Sequence, residues 1–213
     1  EALPAWSPDG RQIAYITRRG GEPDRHSNFD IYLVEPRAGA TERRLTTFDG
    51  ADNDPDLESP ISWSPDGRQL AFVQGGEDKW IYYAPHQLAI VDVATGRTRV
   101  PAPIDRWFTQ PRWSPDGRSV LALIEQSRVI NLSRIEVASG KVTPLTAGPR
   151  FDAGFAVSKQ GRIVVLGGDD VTPYELAALE RGALRPLGSH NEWLAQKQLV
   201  RFDDIHFRSA DGT

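Results

Sequence analysis

Trp6-Ser7-Pro8-Asp9-Gly10 returns as Trp63-Ser64-Pro65-Asp66-Gly67 and again as Trp113-Ser114-Pro115-Asp116-Gly117. Each copy runs into an apolar stretch: Ile13 to Ile16, Leu70 to Val73, and Val120 to Leu123. A worn fourth copy, Phe155 to Leu166, keeps Ser158, Gly161 and the apolar run. It replaces Pro-Asp with Lys159-Gln160 and offers Phe155 or Val157 in place of the tryptophan. The tryptophans are 57 and 50 residues apart, and the worn copy follows after roughly 40. Self-similarity at such a period marks a stacked or radial repeat.

The phrase has a mechanical meaning. Proline presets the backbone angle of a turn, Ser and Asp hydrogen-bond their own backbone, and Gly accepts the left-handed conformation that closes it. Flanked by apolar runs, such a turn reads as a β-hairpin, with the tryptophan ending one strand. The strand after it is apolar almost without alternation, which implies cover on both faces.

Each repeat divides into four strands. The first gives 3–6, 12–17, 30–34 and 43–46, and the second 60–63, 69–73, 88–93 and 98–100. The third gives 110–113, 119–124, 131–137 and 141–145, and the fourth 153–157, 162–166, 174–179 and 183–187. Four antiparallel strands per unit describe a propeller blade. The predicted class is therefore all-β, about four blades over 1–48, 49–101, 102–146 and 147–188, with 189–213 as a linker and the start of a further domain. Trp6, Trp63 and Trp113 are expected to pack between blades, a structural role weighed above ligand stacking, and Gly10, Gly67 and Gly117 to close the turns.

Composition narrows the function. Hydrophobic residues at 39% and charged residues at 25% describe an ordinary globular chain. A net charge of −4 and no basic run longer than two arginines argue against nucleic acid. No apolar stretch reaches membrane-spanning length, so no membrane partner is expected. With no cysteine, thiolate chemistry is absent and the compartment stays open among cytoplasm (the default), periplasm and exterior. No cofactor motif stands out. A homo-oligomer is compatible with all of this.

Antiparallel alternation sorts the loops. The Trp-Ser-Pro-Asp-Gly turns share one edge with the short turns at Ala94-Thr95-Gly96 and Ala138-Ser139-Gly140. The other edge carries the long stretches 18–29, 48–59, 74–87 and 101–109, and is the candidate working surface. Asp49, Asp52, Asp54, Asp56 and Glu58 crowd one of them. Counted as a calcium loop from Asp52, positions six and twelve would be Leu57 and Trp63 instead of Gly and Glu, so no metal site is expected. The alternatives are a solvated acidic loop or carboxylates that hold a ligand. Trp80 to His86, with Tyr82 and Tyr83, is either a contact surface or a loop packed on its own blade. Arg106, next to Trp107, either meets a substrate or pairs with Asp105. The tentative substrate-binding set is thus Glu58, Tyr82, Tyr83, Arg106 and Trp107.

After Leu187 the pattern breaks. Ser189 to Glu192 has the spacing of a capping box, and Arg201 to Arg208 alternates well enough for a strand. Together with the blades, Asn191-Glu192-Trp193-Leu194 and Phe202 to Thr213 resemble the passage from propeller to hydrolase domain in the prolyl oligopeptidase family of serine peptidases. The likeness is to its acylaminoacyl and dipeptidyl peptidase branch; the blades alone are also similar to TolB. The family resemblance implies hydrolysis of short peptides by a Ser-His-Asp triad in an α/β-hydrolase domain, with the propeller gating access. It implies about seven blades in all, hence more chain on either side. No serine here stands in Gly-x-Ser-x-Gly, so no catalytic residue is assigned to this chain.

Overall fold

The computed structural model describes residues 2–19, 25–80, 83–203 and 205–212, and among them the regular elements are strands and short 3-10 turns. Blade I is β1 (Ala2–Trp6), β2 (Ile13–Thr17), β3 (Asp30–Val34) and β4 (Arg43–Arg44). Blade II is β5 (Gly50–Asp52), β6 (Ser62–Trp63), β7 (Gln69–Glu77), β8 (Gln87–Asp92) and β9 (Thr98–Arg99), with β5 and β6 both pairing β7. Blade III is β10 (Phe108–Trp113), β11 (Ser119–Gln126), β12 (Val129–Glu136) and β13 (Val142–Pro144). Blade IV is β14 (Phe151–Val157), β15 (Ile163–Gly168), β16 (Glu175–Glu180) and β17 (Ala183–Pro186). Pairing within every blade is antiparallel, and a single parallel bridge, Ile130 to Phe151, links blades III and IV.

The repeated turn works through its serine and aspartate. Ser7, Ser64 and Ser114 donate from Oγ to Asp9, Asp66 and Asp116 at 2.7, 2.6 and 2.6 Å. The same hydroxyls accept from the backbone N–H of Gln12, Gln69 and Ser119. Gly10, Gly67 and Gly117 lie at φ of +70, +70 and +67°, where a side chain would be strained, and each donates back to its serine carbonyl at 2.9 Å. Bonds from the serine and then from the following arginine N–H hold all three aspartates below the usual carboxylate range. In the worn copy Ser158 still accepts from Arg162, one residue earlier in the count, and the aspartate is gone.

The second strands of blades I, II and III do bury both faces. Leu70 and Phe72 point into a core shared with Ile16, Ile31 and Leu33 of blade I, whereas Ala71 joins the blade III core. Val120, Ala122 and Ile124 face blade II; Leu121 and Leu123 face Ile163 and Val165 of blade IV. Burying such a side chain is worth about 1.5–3 kcal/mol, so these three inter-blade cores dominate cohesion. The tryptophans follow their neighbours. Trp113 is 6% exposed between blades II and III, and Trp63 is half-buried with Nε1 donating to Ala5 O at 3.0 Å. Trp6 is 59% exposed, with no blade packed over it among the described residues.

Three expectations need correction. Residues 48–59 are not all loop: Gly50–Asp52 pairs with β7, and the first strand of blade II resumes only at Ser62. A Gly-Ala-Asp strand has no apolar alternation to reveal it; the unexpectedly long partner β7 supplies its hydrogen bonds. At the other end, Arg201–Arg208 forms no strand among its described residues, and no strand among the described residues pairs with it to share backbone hydrogen bonds. The capping box is not made either. Asn191 precedes a five-residue 3-10 turn, Glu192–Gln196, and Glu175 accepts from the His190 N–H and the Asn191 amide instead.

A polar fastening recurs at alternate interfaces. Leu45-Thr46 stands six residues before the buried Asp52, as Leu145-Thr146 stands before the buried Asp152. Thr46 and Thr146 accept from Ile31 and Leu132 N–H at 2.9 Å each, and Thr146 donates to Asp152 at 2.5 Å. Arg150 closes the second site at 2.7 Å. Between blades II and III the corresponding residues are Ala102 and Phe108, both buried and apolar. Asp52 lacks an arginine. Burial pushes it up to about 6, helped by the nearby Asp30 and opposed by the Gln74 amide at 2.8 Å and by Thr46.

Two outcomes follow. Trp113→Ala should cost roughly 3–5 kcal/mol in urea unfolding, Trp63→Ala less, and Trp6→Ala under about 1 kcal/mol, in the order of their burial. Because the fold raises the Asp52 pKa, its contribution is full below about pH 4 and is lost as pH rises through 6. The unfolding free energy should therefore fall between pH 4 and 7 by on the order of 2–3 kcal/mol, and Asp52→Asn should flatten that slope.

Candidate functional site

The first strands of neighbouring blades converge, β6 lying against both β1 and β10, so the insertion between β5 and β6 hangs from the inner edge of blade II. It contains most of the acidic cluster. Asn53, fully buried at φ +70°, clamps its feet: Oδ1 accepts from Val73 N–H at 3.0 Å and Nδ2 donates to Ser59 O at 2.6 Å. Asp54 caps the 3-10 turn Pro55–Leu57 through Asp56 N–H at 2.9 Å, and Glu58 ends it in the left-handed region at φ 48°. Ser59 Oγ then accepts from Gln110 N–H of blade III at 2.9 Å. The loop is anchored while Asp56 and Glu58 stay exposed. Among the described residues no three acidic or histidine side chains gather closely enough to hold a metal ion.

The connector into blade III lies beside it. Gln87 donates to the carbonyls of Ile104 and Arg106 at 2.8 and 3.0 Å, and Trp107 O accepts from Glu125 N–H at 3.0 Å. The Trp107 ring, half-buried, lies 4.2 Å from the His86 ring, tilted by 40°. Burial lowers the His86 pKa below 6.5, and the carboxylate of Asp54 opposes that shift, which ties the insertion to this ring pair. Arg106 is exposed and turns its guanidinium to the Asp105 backbone carbonyl, not to the Asp105 carboxylate. Tyr83 is 90% exposed, its N–H bonded to Trp80 O at 3.0 Å. Tyr82 lies outside the described residues.

Arg106 and Trp107 thus share one edge with the acidic insertion through His86, while Tyr83 stands outward on its own loop. Sequence reasoning missed Asp54, His86 and Gln87 as the links. None sits in a motif, and only pairing of β7 with β8 sets them beside the connector. The assembly offers carboxylates, one guanidinium and an aromatic shelf, which are groups for holding a polar chain.

No protein-family model matches the chain. It is 31% identical over 156 residues to dipeptidyl-peptidase 5 of Porphyromonas gingivalis, a match covering 72% of this chain and 22% of that protein. Its backbone superimposes on the acylaminoacyl peptidase of Pyrococcus horikoshii with a TM-score of 0.69 at 21% identity, covering 96% of this chain and 29% of the other. The chain is a homologue of the N-terminal propellers of prolyl oligopeptidase family peptidases. This propeller is also 30% identical over 206 residues to TolB of Francisella tularensis, covering 76% of the chain and 44% of that protein. It therefore spans less than half the length of the curated relatives it matches.

The His86 cage can be read directly. In an NMR titration, Asp54→Asn should lower the His86 pKa further, and Trp107→Ala, which admits water to the ring, should return it toward 6.5. A value unmoved by both substitutions would place the ring outside this cage.

Proposed function

We propose that this propeller is the non-catalytic, substrate-gating portion of a prolyl oligopeptidase family serine peptidase acting on short peptides, of acylaminoacyl or dipeptidyl type. The observation that carries the reading is the match to dipeptidyl-peptidase 5. Its catalytic partner would be an α/β-hydrolase domain of the same polypeptide, beginning within 189–213. The exposed apolar side chains there, Val200, Phe202, Ile205 and Phe207, suit packing against further protein. Short peptide substrates would meet the long-loop edge, where Glu58 and Arg106 offer opposite charges to the two ends of a peptide and Trp107 and Tyr83 offer rings. Such contacts orient a chain that is cut elsewhere, so they act on binding and positioning.

A second reading, a TolB-like propeller that binds other proteins, rests on the match to TolB. The two separate in the full reading frame: the peptidase requires a Gly-x-Ser-x-Gly elbow after these blades, and a frame without one gives the conclusion to the second reading. In the full-length protein, Arg106→Ala should lower kcat/KM on chromogenic dipeptidyl or N-acyl-aminoacyl substrates about tenfold, the worth of one hydrogen bond to a charged group. Its Tm should stay unchanged. Wild-type kinetics would remove Arg106 from the site.

A further inference from the structure

On the short-turn edge, two fastenings join blade I to II and II to III. The first is a nesting of turns: a methyl group placed on Gly67 would touch Pro8 Cδ at 3.7 Å, and one on Gly117 would touch Pro65 Cδ at 3.7 Å. The second is an arginine clasp. Arg43 on β4 donates to Val93 O of blade II at 2.7 Å, and Arg99 on β9 donates to Val137 O of blade III at 3.0 Å.

Both fail between blades III and IV. Gly161 has nothing within 4 Å, because the worn turn is shorter and lacks the earlier geometry. The position of Arg43 and Arg99 is Thr143, too short to cross, and its cross-strand partner is Arg134 where blades I and II have Leu33 and Ile90. Two adjoining clefts open there, of about 660 and 640 Å³, sharing Arg134, Gly161 and Ile163. Arg118, Arg134, Lys159 and Arg181 line them against Asp116 and Glu136, four cations to two acids in a protein of net charge −4. Asp116 is already engaged by Ser114 and Arg118 N–H, and Arg134 acts on it only at longer range. Leu121, Val157 and Ile163 form an apolar floor, and no aromatic ring is present on which a base could stack.

We propose that this cleft binds an acidic peptide segment, its carboxylates on Arg134 and Lys159 and its apolar side chains on the floor. Arg134 has no carboxylate in direct ion-pair contact among the described residues, and an arginine fork is the group best shaped for bidentate carboxylate recognition. The strand edge is already paired, so side chains and charge supply the specificity, and binding weakens with salt. The site lies on the edge opposite Arg106, so its failure would leave the peptidase reading untouched.

The test is fluorescence anisotropy on the full chain with a labelled peptide of alternating glutamate and leucine, its glutamine/leucine counterpart, and a labelled oligothymidylate. The glutamate peptide should bind saturably, and Arg134→Ala should weaken it about tenfold or more. Arg134→Lys should recover part of the loss, and Arg11→Ala, in the blade I turn, should change nothing. Thr143→Arg, which restores the clasp toward the Arg181 carbonyl, should shut the cleft and abolish binding while leaving Tm equal or higher. No saturable binding, equal affinity for the glutamine peptide, wild-type affinity in Arg134→Ala, or tighter binding of the oligonucleotide would each overturn the proposal.

Discussion

Cohesion in this chain rests on the second strand of each blade being covered twice. A side chain on β7 or β11 points to one neighbour, the next to the other, and both find an apolar surface at the same spacing. Blade IV shows the constraint by its exception. Val165 is fully buried against blade III, whereas Leu166, on the opposite face of the same strand, is 36% exposed. A blade of this kind is half a core, and it becomes stable by stacking.

Stacking alone does not set the angle or tightness of each interface; local fastenings do. The polar pairs Thr46–Asp52 and Thr146–Asp152 serve two interfaces, and an apolar pair, Ala102 and Phe108, serves the one between. Burying a carboxylate is costly unless it is well bonded. Asp152 meets that requirement with Arg150 and Thr146, and Asp52 meets it only partly, which is why its proton affinity rises. On the opposite edge the turn nesting and the arginine clasp repeat twice and then stop. Along that edge the stack of blades is therefore uneven, fastened at two interfaces and cleft at the third, whose apolar core is nonetheless buried.

The same unevenness distributes function. The long-loop edge carries an acidic insertion rooted in an edge strand, with both feet clamped by one asparagine. An insertion there lengthens nothing inside the core, so it can present charge without disturbing the blade. The connector that bears Arg106 and Trp107 is pinned by Gln87 from one blade and Glu125 from the next. Rigid scaffolds with charged loops of this sort position chains for chemistry performed elsewhere.

The repeated five-residue phrase was enough to give the all-β class, the four-strand unit and the short-turn edge, because a turn made by Ser, Pro, Asp and Gly is satisfied within its own few residues. The apolar run that needs two covers was legible as well, because its lack of alternation is written in its own residues, and the burial of Trp113 between blades was expected from the repeat. What lay beyond the sequence was everything set by a distant partner: the strand Gly50–Asp52, which exists only because β7 is long, the meeting of Asp54, His86 and Trp107, and the unclasped cleft around Arg134. Residues 201–208 show the converse, since an alternating pattern becomes a strand only when another strand is there to take its hydrogen bonds.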